Sequence, residues 1–168
     1  VPGPPSPASS VPRHLAERIL AARPSLEGER KQVTVLFADI RNSMKLIENR
    51  DPEEAQKIID PVLHVMMGAV HRYEGTVNQV LGDGIMALFG APLAHEGHAV
   101  RPCYAALAMQ EEVRRHREKM SQLDELGLQI GSGLNSGEVV VRSIGNDLNI
   151  DYSALGHTTH LAARMEEL

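Results

Sequence analysis

The sequence predicts an α+β fold, a mostly antiparallel sheet with helices packed on one face. Three observations predict it. Lys31–Ile40 (KQVTVLFADI) is rich in β-formers and apolar on both faces, as a buried central strand is. Gly75–Leu81 and Ile85–Gly90 flank Gly82-Asp83-Gly84, which reads as a hairpin with an aspartate at its tip. Pro52–Tyr73 places Ala55, Ile58, Ile59, Val62, Leu63, Met66, Met67 and Val70 at helical spacing. The element order is β-α-α-β-β-α-β-β-(β)-α, and no internal repeat is visible.

A chain of 168 residues that is 42% hydrophobic and 23% charged fits one globular domain with a core of its own. Aromatics are 3% and Trp is absent, so that core is expected to be aliphatic. A net charge of -5 argues against a basic nucleic-acid face. The single cysteine, Cys103, excludes an internal disulfide framework and a cysteine-based zinc site. No apolar run approaches the roughly 18 residues of a membrane span. No targeting signal is read at the Val1 end, so the expectation is a cytoplasmic fragment of a longer protein.

Residues 1–28 form a leader. Val1–Pro12 is rich in proline and serine and reads as a linker. Arg13–Arg23 is a short amphipathic helix with Leu15, Ile19 and Leu20 on one face, ended by Pro24. That stripe is too short to stand alone and should dock on the domain or a partner. After the first strand, Arg41–Arg50 opens a helical region that Ser43 is placed to cap. Pro61 should kink the long helix or split it in two. Glu96–Met120 is a second long helix, apolar at Val100, Cys103, Leu107 and Val113, with Glu111–Lys119 as a solvated face. Cys103 is expected to be a buried small residue. Leu126–Ser132 and Glu138–Ser143 read as two strands joined by a bend through Asn135-Ser136-Gly137. Asn149–Ala154 is a short strand, and Gly156–Leu168 opens a last helix.

Two carboxylates carry the chemical signal. Asp39 is the first charge after a buried strand, and Asp83 sits at a hairpin tip. If the hairpin pairs beside the strand, both reach the same edge of the sheet. Their oxygens and a backbone carbonyl then make a hard site suited to Mg²⁺ or Mn²⁺, and hence to phosphoryl chemistry. Each aspartate alone also has a purely conformational reading, as a turn former or a helix cap.

Four ordered segments now bear on the reading: Val33–Ser43 (VTVLFADIRNS), Gly75–Pro92 (GTVNQVLGDGIMALFGAP), Gly133–Val141 (GLNSGEVVV) and Tyr152–Arg164 (YSALGHTTHLAAR). Together they resemble the catalytic homology domain of class III nucleotidyl cyclases, the adenylate and guanylate cyclases. The likeness spans residues 29–168. The lead-in Pro12–Gln32 is similar to the segment before this domain in bacterial multidomain proteins laid out like soluble adenylate cyclase. The resemblance implies a ferredoxin-like, palm-like sheet. It implies that Asp39 and Asp83, with the carbonyl of Ile40, bind two divalent cations that hold a nucleotide triphosphate. The ribose 3′-hydroxyl would attack the α-phosphorus, releasing pyrophosphate and a 3′,5′-cyclic nucleotide. Arg164 matches the arginine that stabilises the reacting phosphate. In this family that arginine comes from the other subunit, so a homodimer is implied. Family domains also continue with further strand, so a C-terminal truncation at Leu168 is expected.

Several positions depart from the family pattern. His160 stands where an asparagine usually orients the ribose. Gln79 and Ser153 stand at the two purine-reading positions, and both donate and accept. ATP is the expected substrate, with GTP the second choice. Asn42 replaces the usual glycine, and asparagine tolerates a left-handed backbone. The alternative reading is a weak or inactive homologue that binds nucleotide or dimerises to regulate a neighbour. A third, a nucleic-acid polymerase palm, is disfavoured by the acidic charge.

Other signals are set aside. Gly131-Ser-Gly133-Leu-Asn-Ser-Gly137 lacks the context of a phosphate loop and reads as the bend between strands. His95-Glu96-Gly97-His98 lacks the spacing of two ligands on one helix face and reads as a helix start. Met66 and Met67 are core filler, and His64 and His71 are structural residues of the long helix. His157 lies near His160 without an assigned role.

Overall fold

The structure is a computed structural model and describes residues 12–22, 30–48, 50–91, 93–120, 127–140 and 157–166. Its elements are α1 (Arg13–Ala22), β1 (Arg30–Arg41), α2 (Ser43–Ile47), α3 (Pro52–Arg72), β2 (Thr76–Leu81), β3 (Gly84–Phe89), α4 (Arg101–Glu118), β4 (Gln129–Val140) and α5 (His157–Glu166). A 3₁₀ turn, Glu96–His98, precedes α4. The strands form one sheet in the order β2-β3-β1-β4, and every neighbouring pair is antiparallel. The central position of β1 follows from its two apolar faces.

Successive residues of a strand face opposite sides, so β1 feeds two cores. Leu36, Ala38 and Ile40 join Ile85, Ala87 and Phe89 under α3 and α4. From α3 come the expected residues, including Ile58, Val62, Leu63, Met66 and Met67. On the other side Val33 and Val35 pack with Met86, Leu88, Val139 and Ala162, the last from α5. Thus α3 and α4 share one face, while α5 lies on the opposite face over β4, so the helices are not all packed on the one face the sequence predicts.

Glycines seat α5. A methyl group at Gly133 would run into the Ala162 carbonyl and the Glu166 amide, and one at Gly137 into the Thr158 hydroxyl. The expected bend is therefore absent: β4 runs unbroken from Gln129 to Val140, paired with β1 throughout. Its glycines mark a close helix approach, not a turn.

The helix α3 passes through Pro61 as one helix, so of the two expected effects of that proline the split does not occur. Two further expectations are corrected. Ser43 is not a cap; Asn42 holds the N-cap position, with φ 63°, and no side chain caps the helix. On α4 the buried face is Pro102, Ala105, Met109 and Val113. Cys103 is exposed, as are Val100 (57%) and Leu107 (67%). The helix begins only at Arg101, and the Ala and Met residues form the stripe that meets α3. Residues 1–11 of the predicted leader and the predicted strand Asn149–Ala154 lie outside the described residues.

Candidate active site

The hairpin between β2 and β3 closes with two residues, Gly82 and Asp83; Leu81 pairs with Gly84, and Gly84 pairs with Asp39 of β1. Gly82 has φ +68°, a backbone that glycine adopts at no steric cost. Gly84 serves closeness instead. A methyl group there would lie 2.7 Å from the Ala38 carbonyl oxygen and 3.0 Å from Asp39 Cβ. The Ile40 amide donates to the Asp83 carbonyl at 3.1 Å, fixing the turn against the end of β1. The two aspartates, 44 positions apart in sequence by their numbers, line one cleft of about 550 Å³ with Ile40, Arg41, Asn42, Ser43, Gln129 and Glu166.

Within it, Ser43 donates its hydroxyl to Asp83 Oδ2. Asp39 Oδ1 is buried and has no hydrogen-bond partner. An unpaired buried carboxylate oxygen is costly unless a cation meets it. A donor set made of oxygens suits Mg²⁺ or Mn²⁺. Among the described residues no group of three or more His, Cys, Asp or Glu is arranged as a metal cage. The fit is therefore to an ion that takes its remaining ligands from elsewhere, as Mg²⁺ does with phosphate oxygens and water.

The other sequence candidates fall in different places. Gln79 is exposed and pairs with Met86, which pairs with Phe37, so it faces the same side of the sheet as Asp39, one cross-strand row away. Asn78, just before it, is the residue skipped in the register, and it is buried. Ser153 lies outside the described residues. His160 and Arg164 are exposed on α5. They stand four apart and so share a face, while Ala162 and Glu166 turn toward β4. Leu161 (41% exposed) and Met165 (45%) flank them. The structure thus brings Asp39, Ile40 and Asp83 together and leaves His160 and Arg164 on an outward surface.

Arg41, Ser43, Gln129 and Glu166 are the cleft residues that sequence reasoning missed. Ser43 follows Asp39 by four positions, and that spacing was read only as capping. Nothing local links Arg41 to Glu166. His95-Glu96-Gly97-His98 is the 3₁₀ turn, where His98 Nδ1 lies 3.1 Å from Thr34 Oγ1. His71 is buried, and that burial lowers its pKa.

The family model described as Adenylate and Guanylate cyclase catalytic domain matches residues 27–168. The chain belongs to that family. Adenylate cyclase 1 of Rhizobium meliloti is 32% identical over 139 residues, 82% of this chain and 21% of that protein. An uncharacterized protein of Mycobacterium tuberculosis is 30% identical over 161 residues, 93% of this chain and 28% of that protein. Among solved structures, the guanylyl cyclase Cya2 aligns with a TM-score of 0.73 at 33% identity, covering 84% of this chain and 72% of that one. The adenylyl cyclase CyaB from P. aeruginosa aligns with a TM-score of 0.73 at 31% identity, covering 84% and 74%. The chain spans only 21% to 28% of the length of these curated relatives. The family and the α+β cyclase fold stand as the sequence predicted. No described helix is long and apolar enough to cross a membrane.

Proposed function

We propose that this domain is a purine nucleotide cyclase that converts ATP, with GTP the second choice, to a 3′,5′-cyclic nucleotide and pyrophosphate. The observation that carries the reading is the convergence of Asp39 and Asp83 on one cleft, with Asp39 Oδ1 buried and unpartnered. Two divalent ions held by Asp39, Asp83 and the Ile40 carbonyl would neutralise triphosphate charge and lower the pKa of the attacking 3′-hydroxyl. The chain's own groups do the rest. Ser43 holds the Asp83 carboxylate in place. Gln79, with Ser153, offers a donor and an acceptor to the purine edge. Arg164 spreads its guanidinium charge over the reacting phosphate, and His160 donates a hydrogen bond to the ribose.

Arg164 and Glu166 lie about 200° apart around α5, so Arg164 faces away from its own cleft. The reading therefore uses a second copy of the chain, each supplying Arg164 and His160 to the other's aspartates. The apolar flanks Leu161 and Met165 suit such a contact. The test is incubation of the protein with Mn²⁺ and ATP, or GTP, with mass detection of the cyclic product. Asp39→Ala is expected to remove the product, and Arg164→Ala to lower turnover by about 100-fold or more. Mixing those two inactive variants should restore part of the activity, because one mixed site then has all its groups. His160→Asn should keep or raise turnover. Absence of cyclic product from the unmodified dimer, under both nucleotides, overturns the reading.

A further inference from the structure

The last turn of α5 reaches the metal-binding end of β1 across a gap that only glycine leaves open. A methyl group at Gly131 would lie 2.6 Å from Glu166 Oε1, 2.7 Å from Arg41 Nε and 3.0 Å from Asp39 Oδ1. Three charged groups, two from β1 and one from α5, thus crowd one point beside the Gly131 backbone. Arg41 also donates from Nη2 to the Glu166 carbonyl at 2.9 Å. That carbonyl is among those left without an intrahelical partner at a helix C-terminus, where a cation is favoured. Arg41 therefore fastens the end of α5, and it follows Asp39 by two residues on the same face of β1.

The charges oppose one another. Glu166 and Asp39 bring two carboxylates to the same point, with one guanidinium beside them. Like charges at this range work against the docking of α5, and Arg41 opposes them with a single positive charge. A divalent cation at Asp39 and Asp83 reverses the balance. Glu166 then faces a site of net positive or neutral charge.

We propose that Glu166 and Arg41 form a charge-sensing tether: loading a divalent cation at Asp39 and Asp83 tightens the docking of α5 and so sets the position of Arg164. The proposal rests on the reading of the aspartate cleft as a cation site. Glu166 and Arg41 act as positioning residues, through α5, and not on the substrate. Coupling of this kind is reciprocal, so Glu166 must also strengthen cation binding.

The experiment uses the intact chain with Mn²⁺ alone. Mn²⁺ affinity is read from the free-ion paramagnetic resonance signal, and helix docking from backbone hydrogen exchange of residues 157–166. In the unmodified protein, Mn²⁺ should slow exchange in α5 by about fivefold or more. In Glu166→Gln, α5 should be protected already without Mn²⁺, Mn²⁺ should add little, and Mn²⁺ affinity should fall severalfold. In Arg41→Ala, α5 should exchange fast with and without Mn²⁺, while amides of α3 stay protected and report an intact core. With nucleotide, both variants should lower kcat more than they raise KM. Unchanged α5 exchange on Mn²⁺ binding to the unmodified protein, or a Glu166→Gln variant that matches it in both readouts, overturns the tether. Unaltered Mn²⁺ affinity in Asp39→Ala instead overturns the cation site itself.

Discussion

Beneath α3 and α4 the sheet presents Leu36, Ile40, Ile85 and Phe89. Beneath α5 it presents Gly131, Gly133 and Gly137. The first contact is an interior of Leu, Ile, Val and Met side chains that exclude water and fill space. The second seats the helix close on the strand, with backbone atoms and a threonine hydroxyl against the glycines and Ala162 packed on Val33, Val35 and Val139. The first contact supplies stability through buried apolar area. The second supplies little area and sets a short distance, which brings the end of α5 to the aspartate cleft. Large-to-small changes should therefore injure one side and small-to-large changes the other.

The largest effect is expected on the glycine side. Gly133→Ala places a methyl group against α5 backbone that cannot rotate away. Displacing the helix by even about 1 Å should lower cyclic-nucleotide formation by about 100-fold, and hydrogen exchange should localise the change to α5 and β4. On the opposite side, Leu63→Ala should cost about 2–5 kcal/mol in urea unfolding. Turnover per folded molecule should fall far less than in Gly133→Ala. A Leu63→Ala variant that lost activity as steeply while staying folded would erase the distinction between the two faces.

His71 gives a smaller, pH-dependent effect. Burial lowers its pKa below the ordinary 6.5. Above that value the ring is neutral in both folded and unfolded chains, so its contribution to stability is complete. As pH falls below 6.5 the unfolded chain takes up a proton that the folded one resists, and stability is lost toward the folded pKa. Urea midpoints measured downward from neutral pH should fall, and in His71→Gln that slope should be shallower. The smallest effect belongs to the outer side of α4. Leu107→Lys should change stability by no more than about 0.5 kcal/mol, because the side chain is already in water.

Much of this was legible in the sequence, for physical reasons that differ by element. β1 declares itself because a strand buried on both faces must be apolar on both. The hairpin declares itself because two glycines bracket one aspartate between two strand-forming runs. α3 carries eight apolar residues at one period, so its buried face had no rival. α4 had two rival stripes. Val100, Cys103 and Leu107 are the more hydrophobic on paper, but Pro102, Ala105, Met109 and Val113 are the ones that meet the core. β4 was misread because glycine disfavours strands in isolation. The usable signal was parity: Gly131, Gly133 and Gly137 all fall on one face, which a bend does not require. Asp39, Ile40 and Asp83 were found from pattern and resemblance. The Arg41–Glu166 contact joins residues 125 apart, and no local rule connects them.

A rod laid on a smooth rail is held only where it is pinned. Against the glycines of β4, α5 interlocks chiefly through Ala162, which packs on Val33, Val35 and Val139. Its pins are polar and sit near its two ends, Asn135 Nδ2 on the Thr158 carbonyl at 3.0 Å and Arg41 on the Glu166 carbonyl. A pull on the outer surface of the helix is therefore carried by those end contacts and by Ala162, so force applied there reaches the cleft through the Glu166 end.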